Sequence, residues 1–262
     1  RGFFGKEKDR LMIKIIRVRD YEELSERAAE ILVSQVREKK NSVLGLATGA
    51  TPLGTYEKVV KKYNSQEIDF SGIYTANLDE YKGIEKKNPD SYYFYMRANL
   101  FDHINIKPDH ILFLNGMAKD AAAECRRYEK AIAAAGGIDL QLLGIGVNGH
   151  IGFNEPSDVF EKETHPVELA ESTRQVNARF LKHTEVPPKE ALTMGIGTIF
   201  SAEKILLLAS GPSKADCLRK ALYGPITPQV PASVLQLHRK VVVLADAEAL
   251  ELCGLEKDEI YL

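Results

Sequence analysis

The 262-residue sequence has no tryptophan, only three cysteines and almost no net charge. The cysteines are odd in number and widely spaced, which argues against a disulfide framework or a zinc motif and predicts reduced thiols at Cys125, Cys217 and Cys253. A formal net charge of −2 provides no general attraction toward nucleic acid or membrane surfaces. Any anionic ligand must therefore be bound by a local site.

Long apolar runs are also missing. None approaches the ~18–20 residues that a membrane-spanning helix needs, and the charged stretch 1–11 (RGFFGKEKDRL) lacks the apolar core of a signal peptide. We therefore expect a cytoplasmic protein without a membrane or nucleic-acid partner. Residues 1–11 are predicted to be a disordered lead or a remnant of cloning, and residues 12–262 to form a single domain.

What the sequence does contain is an alternation of apolar runs with helical patterns. A helix is predicted over Tyr21–Glu38, capped by Asp20, because apolar residues recur there at helical spacing. Further helices are predicted over Ser91–Phe101, Ala118–Ala135, Arg174–Phe180 and Ser213–Leu222. Between them lie apolar runs that predict strands over Met12–Val18, Ser42–Ala47, Ile73–Leu78, Ile111–Leu114, Leu140–Ile145, Ala191–Gly197, Ile205–Ala209 and Lys240–Leu244.

This alternation predicts an α/β fold with a mostly parallel, doubly wound sheet and helices on both faces, in one domain. In such sheets ligands bind beyond the carboxyl ends of the strands. The loops that directly follow strands are therefore the segments in which we expect the chemistry.

The first such loop is Ala47–Pro52 (ATGATP). Gly49 permits a tight turn, Thr51 is predicted to cap the following helix, and Pro52 suits its first position. The free N–H groups of a helix N-terminus can bind an anion. The loop is not a Walker A motif, because no Gly-Lys-Ser/Thr follows, and taken alone it is more typical of an ordinary capped turn.

The second loop is Asn77–Tyr81 (NLDEY), which places two carboxylates directly after a strand. Strand alternation lets only one of Asp79 and Glu80 face a cleft, where it could act as a general base. Taken alone, adjacent carboxylates are more often solvated surface charge.

The third loop is residues 144–156 (GIGVNGHIGFNEP), which contains Gly-x-Gly-x-x-Gly after a strand. A dinucleotide-binding fingerprint needs the third glycine to open a helix. Here His-Ile-Gly-Phe-Asn-Glu-Pro follows, which is poor helix-forming sequence, so we reject that reading. The glycines are better suited to bring the backbone close to a small ligand, with His150 and Glu155 projecting from one compact loop.

A histidine and a carboxylate could also bind a metal, but no second histidine or cysteine stands at ligand spacing. No Gly-x-Ser-x-Gly elbow is present for a nucleophilic triad. We therefore expect neither a metal nor a cofactor. Lys214, near a second helix N-terminus, and Arg179 are candidate cations for a phosphate, although a single lysine or arginine is usually solvated surface charge.

Taken together, these loops resemble the glucosamine-6-phosphate deaminase family. The resemblance runs in order from about Ile13 to Leu252, and it is carried by LATGATPLGT at Leu46–Thr55, NLDEY at Asn77–Tyr81, GVNGHIGFNEP at Gly146–Pro156, RQVNARF at Arg174–Phe180, ALTMGIGT at Ala191–Thr198 and GPSK at Gly211–Lys214. It implies a modified, Rossmann-like doubly wound fold. It also implies conversion of the amino-sugar phosphate glucosamine 6-phosphate, with water, into fructose 6-phosphate and ammonium, a step of amino-sugar catabolism.

The resemblance also implies residue roles. Asp79 is similar to the family's proton acceptor for enolisation, and His150, with Asn148 and Glu155, to its ring-opening group. The 6-phosphate cradle would comprise Gly49, Ala50, Thr51, Arg179 and Lys214.

This sequence departs from the family pattern at two places. Many hexameric members carry aspartate where Asn148 stands here, and other bacterial members have asparagine. The positions of the allosteric site for N-acetylglucosamine 6-phosphate fall near Asp158, Val159, His165 and Val167, and they lack the serine pair, arginine and lysine expected there. We therefore expect no activation by that effector.

Two other readings are weaker. A 6-phosphogluconolactonase resembles this fold and its Gly-His loop, but as an ester hydrolase it would not need the Phe-Asn-Glu-Pro continuation or the NLDEY base. A sugar-phosphate sensor of a bacterial regulator would normally carry a basic, helical DNA-binding segment, and nothing of that kind precedes Met12.

Overall fold

The computed structural model describes residues 13–171, 173–174, 181–184, 186–255 and 258–262. The predicted lead at residues 1–11, nearly all of the predicted helix Arg174–Phe180, and the candidate Arg179 lie outside the described residues. In the part of the chain that is described, no helix is long and apolar enough to cross a membrane.

The main sheet confirms the predicted α/β fold. Within the described ranges it has eight strands in the order β11-β1-β10-β9-β6-β2-β3-β5, and every neighbouring pair is parallel except β1 with the edge strand β11. The strands are β1 (Ile13–Val18), β2 (Val43–Leu46), β3 (Tyr74–Asn77), β5 (Ile111–Leu112), β6 (Leu140–Gly144), β9 (Lys204–Ala209), β10 (Val241–Asp246) and β11 (Glu259–Tyr261).

Helices cover both faces of this sheet, as predicted. They are α1 (Tyr21–Glu38), α2 (Ala50–Asn64), α3 (Tyr92–Asn99), α4 (Ala121–Ala134), α5 (Ile196–Phe200) and α6 (Ala215–Tyr223). One buried cluster packs α1, α2 and α3 against one face, and a second packs α4, α5 and α6 against the other. The cap predicted for α1 is present, because the Asp20 side chain accepts from the N–H of Glu23.

The start of α2 differs from the prediction. The helix begins at Ala50 rather than Pro52, and its N-cap is Gly49, which has a φ of 102° and makes no side-chain cap. A positive φ is readily available to glycine, so the chain turns into the helix two residues earlier than a Thr51 cap would allow. Pro52 is tolerated in the first turn, where its missing N–H has no helical partner.

The predicted strand Ala191–Gly197 was wrong in its extent and its sheet. The observed strand β8 (Glu190–Thr193) lies between β4 (Asp79–Tyr81) and β7 (His165–Glu168) in a separate antiparallel sheet of three strands, and α5 already begins at Ile196. The partners β4 and β7 are short and polar, so neither shows the apolar pattern of a strand.

Candidate active site

Three of the post-strand loops meet at the carboxyl edge of the main sheet. A Cβ placed on Gly152, in the third loop, would lie 3.7 Å from Oδ2 of Asp79, the first residue of β4. The Nζ of Lys214 donates to the carbonyl oxygen of Ile145 over 2.7 Å. The structure therefore brings Asp79 close to the His150 loop and Lys214 close to the start of that loop.

His150 is held by two side chains of its own loop. Its Nδ1 lies 2.7 Å from Oδ1 of Asn148 and 3.4 Å from Oε2 of Glu155. The Nδ2 of Asn148 donates to the same Glu155 oxygen over 2.6 Å. The three side chains thus form a continuous hydrogen-bonded chain of glutamate, asparagine and histidine.

This chain fixes which imidazole nitrogen carries the proton. A carboxylate accepts only, so the amide of Asn148 must turn its Nδ2 toward Glu155 and its Oδ1 toward His150. The Nδ1 of a neutral His150 is therefore the protonated nitrogen, and Nε2 is left with a free lone pair. No described residue lies within hydrogen-bonding distance of Nε2, and the His150 side chain remains 21% exposed.

The backbone of the third loop is shaped to accept the imidazole. A side chain on Gly146 would overlap the ring of His150, which lies directly over this residue. Gly149 has a φ of 87°, and its N–H donates to the carbonyl of Gly146 in a tight turn. Gly146 and Gly149 therefore allow the imidazole of His150 to pack closely against its own loop.

Glu155 is ionised in this arrangement. Burial alone would raise its pKa, but the hydrogen bond and charge of His150 outweigh burial, and hydrogen bonds from Thr173 and Asn148 add to them. The pKa of Glu155 is thereby lowered to about 2. The Thr173 hydroxyl donates to Oε1, the oxygen that Asn148 leaves free.

Asp79 has the opposite environment. Its side chain is only 6% exposed, and burial, assisted by the adjacent charge of Glu80, raises the pKa of Asp79 to about 8. A carboxylate with a pKa near neutrality is suited to take up and return a proton.

Glu80 points toward the start of α3. Its carboxylate accepts from the backbone N–H of Tyr81 in β4 and from those of Tyr92 and Tyr93 at the N-terminus of α3, each over 2.9 Å. Of the two adjacent carboxylates, Glu80 is therefore the one that stabilises a helix end.

An aromatic cluster borders the site. Phe153 stacks with Tyr92 at 6.0 Å between ring centroids, and the Tyr92 hydroxyl donates to that of Tyr81 over 3.0 Å. The Tyr92 hydroxyl also faces Thr48 of the first loop. Burial raises the pKa of Tyr92, and the nearby Tyr81 and Asp79 add to this increase. Sequence reasoning missed Tyr92, although it stands at the start of a predicted helix.

The candidate phosphate cradle is only partly described. Gly49, Ala50 and Thr51 form the N-terminal turn of α2. The Tyr95 hydroxyl donates to the carbonyl of Gly49 over 2.7 Å, and the Tyr21 hydroxyl to that of Ala50 over 2.9 Å. These carbonyls are therefore held by tyrosines that sequence reasoning did not single out.

Of the two candidate cations of that cradle, the structure describes Lys214 but not Arg179. Burial lowers the pKa of Lys214, whose ammonium is held at the carbonyl of Ile145. Arg179 lies outside the described residues. Among the residues that the structure describes, no group of three or more histidine, cysteine, aspartate or glutamate side chains is arranged to hold a metal ion.

Comparison with known proteins places this geometry in context. The sequence profile of a family described as glucosamine-6-phosphate isomerases/6-phosphogluconolactonase matches residues 19–244. A glucosamine-6-phosphate deaminase from Thermoanaerobacter sp. (strain X514) is 51% identical over 240 residues, covering 92% of this chain and 95% of that protein. One from Clostridium botulinum (strain Kyoto / Type A2) is 54% identical over 237 residues, covering 90% and 97%.

Solved structures agree with the sequence comparison. A monomeric glucosamine-6-phosphate deaminase superposes with a TM-score of 0.88 at 50% identity, covering 91% of this chain and 99% of that one. A 6-phosphogluconolactonase from Thermotoga maritima superposes with a TM-score of 0.70 at 20% identity, covering 89% and 99%. At that identity the second likeness concerns the fold alone.

Proposed function

The chain belongs to the family of glucosamine-6-phosphate isomerases and 6-phosphogluconolactonases, and we propose that it converts D-glucosamine 6-phosphate and water into D-fructose 6-phosphate and ammonium. The relatives named glucosamine-6-phosphate deaminase share about half of its residues over nearly its whole length. The enzyme is a hydrolase that couples aldose-ketose isomerisation to deamination in amino-sugar metabolism. We further propose that it acts in the cytoplasm, with residues 12–262 as the catalytic domain.

The observation that carries this proposal is the buried Asp79 beside the His150 loop. Hydrolysis of a lactone needs an activated water, but it does not need a base that removes a proton from carbon. An isomerising deaminase needs both a group that opens the sugar ring and a base that moves a proton between two carbons. The raised pKa of Asp79 and the free Nε2 of His150 match these two tasks.

Ring opening is the first step. The Nε2 of His150 accepts the proton of the C1 hydroxyl, the bond between C1 and O5 breaks, and O5 takes up a proton as the C1 aldehyde forms. Glu155, ionised and joined to His150 directly and through Asn148, stabilises the imidazolium that exists between the two proton transfers.

Proton transfer between carbons follows. The Asp79 carboxylate removes the C2 proton, which the aldehyde at C1 has made acidic, and an enolamine forms. The enolate oxygen at C1 takes its proton from the ammonium group at C2, so the enolamine is neutral. Asp79 then returns its proton to C1, leaving an iminium ion at C2. Water adds to C2 and ammonia leaves, which produces the ketose. No electron leaves the substrate in any of these steps.

The phosphate group would hold the sugar in position for these transfers. We assign it to the N-terminal turn of α2 at Gly49, Ala50 and Thr51, with Lys214 and Arg179 as cations. The helix N-terminus and the ammonium both favour an anion. Fixing the substrate in a reactive geometry can supply up to about 7–11 kcal/mol of the barrier.

The test is release of ammonia and formation of fructose 6-phosphate from glucosamine 6-phosphate, measured in the presence of a metal chelator. Asp79→Asn should abolish turnover, by about 10³-fold or more, and should retain binding of inorganic phosphate. A matched assay with 6-phosphogluconolactone should show no hydrolysis above background. Hydrolysis of the lactone without release of ammonia would overturn the proposal, and an Asp79→Asn enzyme with normal turnover would remove Asp79 from its role.

A further inference from the structure

We infer that Thr173 is a positioning residue of the ring-opening group: its hydroxyl holds Glu155, and through Asn148 it sets the tautomer of His150. This inference deepens the proposed function and rests on it. Thr173 belongs to none of the post-strand loops from which the candidate residues were taken.

Thr173 supplies the donor that completes the binding of a buried carboxylate. Its side chain is buried, and its hydroxyl donates a short hydrogen bond to Oε1 of Glu155. The other oxygen, Oε2, receives the Nδ2 of Asn148 over 2.6 Å and lies 3.4 Å from His150 Nδ1. Each carboxylate oxygen thus has its own donor, and the plane of the carboxylate is fixed.

Without the Thr173 hydroxyl, the Glu155 carboxylate would be free to rotate. A buried carboxylate oxygen without a donor is costly, so Glu155 would rotate to share the remaining donors, Asn148 and His150. The amide of Asn148 is oriented by that same carboxylate. Once Glu155 shares its donors, it no longer fixes the Asn148 amide, which can turn its Nδ2 toward Nδ1 of His150. Nδ1 then accepts, and the proton of the neutral ring moves to Nε2.

The position of Thr173 is decided by the small antiparallel sheet. Thr173 follows β7, and the helical turn that carries it begins with a hydrogen bond from the N–H of Arg174 to the carbonyl of Ala170. The central strand β8 pairs with β7 on one side and with β4, which carries Asp79, on the other, with Thr193 opposite both His165 and Asp79. One rigid element therefore positions both the carbon base and the residue that holds the ring-opening group.

The first test compares Thr173→Val, which keeps the shape and removes the hydroxyl, with Thr173→Ser, which keeps the hydroxyl. Thr173→Val should lower kcat by roughly 10- to 100-fold, the range for a hydrogen bond to a charged group, while KM for glucosamine 6-phosphate changes by less than about threefold. Thr173→Ser should restore kcat to within about threefold of wild type. Equal impairment of both variants, or a normal kcat in Thr173→Val, would overturn the inference.

A double-variant cycle separates positioning from general destabilisation. In a Glu155→Gln background, Thr173→Val should add less than about a threefold loss in kcat, because its partner is already altered. If Thr173→Val lowered kcat in the Glu155→Gln background as much as in wild type, Thr173 would not act through Glu155. Thermal unfolding of each variant checks that the fold is retained, and Thr173→Ala provides a second hydroxyl-free variant if the valine variant does not fold.

The tautomer itself can be observed without turnover. In the free protein, ¹⁵N chemical shifts of the His150 ring should report a protonated Nδ1 in wild type and in Thr173→Ser, and a mixture of tautomers in Thr173→Val. Unchanged shifts in Thr173→Val would contradict the inference even if activity fell. Because this measurement needs no substrate, failure of the proposed reaction in the wild-type assay is distinguishable from failure of the role given to Thr173.

Discussion

Asp79 and Glu80 are neighbours in the chain, yet their carboxylates lie in opposite environments. Glu80 receives two backbone N–H groups at the start of α3 and a third from Tyr81 in β4, whereas Asp79 lies against Gly152 of the His150 loop. Successive side chains of a strand point to opposite sides, so β4 directs one carboxylate to α3 and the other to the His150 loop. The charge of Glu80 nevertheless reaches Asp79 and contributes to its raised pKa.

The pH dependence of catalysis follows from that raised pKa. Asp79 must be ionised to accept a proton, so kcat/KM should rise with pH and level off above the free-enzyme pKa of about 8. Rate measurements from pH 5.5 to 9.5 at fixed ionic strength check this. A kcat/KM that is already constant above pH 6 would show that Asp79 is not the group that limits the rate.

A variant of Glu80 provides a control for the cause of that shift. Glu80→Gln removes the neighbouring charge, so the pKa of Asp79 should fall and the rise in kcat/KM should move to lower pH. The same variant should also lower the melting temperature, since one amide oxygen replaces two carboxylate oxygens at the N-terminus of α3. An unmoved pH profile would indicate that burial alone sets the pKa of Asp79.

Asp79 should lower the stability of the folded protein at alkaline pH. Its folded pKa of about 8 lies above its unfolded value of about 3.9, so between these values only the folded state holds the proton. The free energy of unfolding therefore falls as pH rises through this window. Asp79→Asn should remove that loss and be more stable than wild type at pH 9, on the order of 1–5 kcal/mol, with a smaller difference at pH 5.

Chemical denaturation at both pH values measures this difference. Asp90→Asn is a control for which we expect the opposite change in stability. The Asp90 carboxylate accepts from the N–H groups of Lys182 and His183 and from the Thr184 hydroxyl. Those hydrogen bonds outweigh burial and lower the pKa of Asp90. Asp90→Asn should therefore lower stability at neutral pH, and an Asp79→Asn protein that is less stable than wild type at pH 9 would contradict the burial argument.

Close packing of the histidine on Gly146 can be tested with one methyl group. Gly146→Ala would place its Cβ within the imidazole of His150, so the ring must move and kcat should fall by about 10-fold or more. Gly144→Ala is the matched control, because its Cβ would meet no described atom within 4 Å. Activity and melting temperature of the two variants check this, and equal activities would show that the ring has room to adjust.

Insensitivity to N-acetylglucosamine 6-phosphate is expected from the sequence. Asp158, Val159, His165 and Val167 themselves provide no arginine or lysine for its phosphate. Rate curves over a range of glucosamine 6-phosphate concentrations, with and without this effector, should coincide at concentrations too low for competition at the active site. A leftward shift or a loss of sigmoidality on adding the effector would disprove this expectation.

Much of the fold was predictable because its signals are local. The helix Tyr21–Glu38 and its Asp20 cap depend on residues within a few positions of each other, and the apolar runs of the central strands are recognisable in isolation. The third loop was equally informative, since Asn148, His150 and Glu155 lie in one short segment that the structure brings together.

The errors in the strands have a common physical origin in long-range pairing. The strand β4 is three residues long and exists because it pairs with β8, far along the chain. The predicted strand Ala191–Gly197 was given the wrong sheet for the same reason. At Gly49 the cause was local, because a positive φ at glycine replaced the side-chain cap predicted at Thr51.

The sequence by itself determined the α/β alternation, the loops in which polar and glycine residues gather, and the family to which those loops are similar. Only the tertiary structure decided that Asp79 rather than Glu80 faces the His150 loop, and that Thr173 supplies the remaining donor to Glu155. Helical and strand periodicity are set by neighbouring residues, whereas the partner of a buried carboxylate is set by which distant segments pack together.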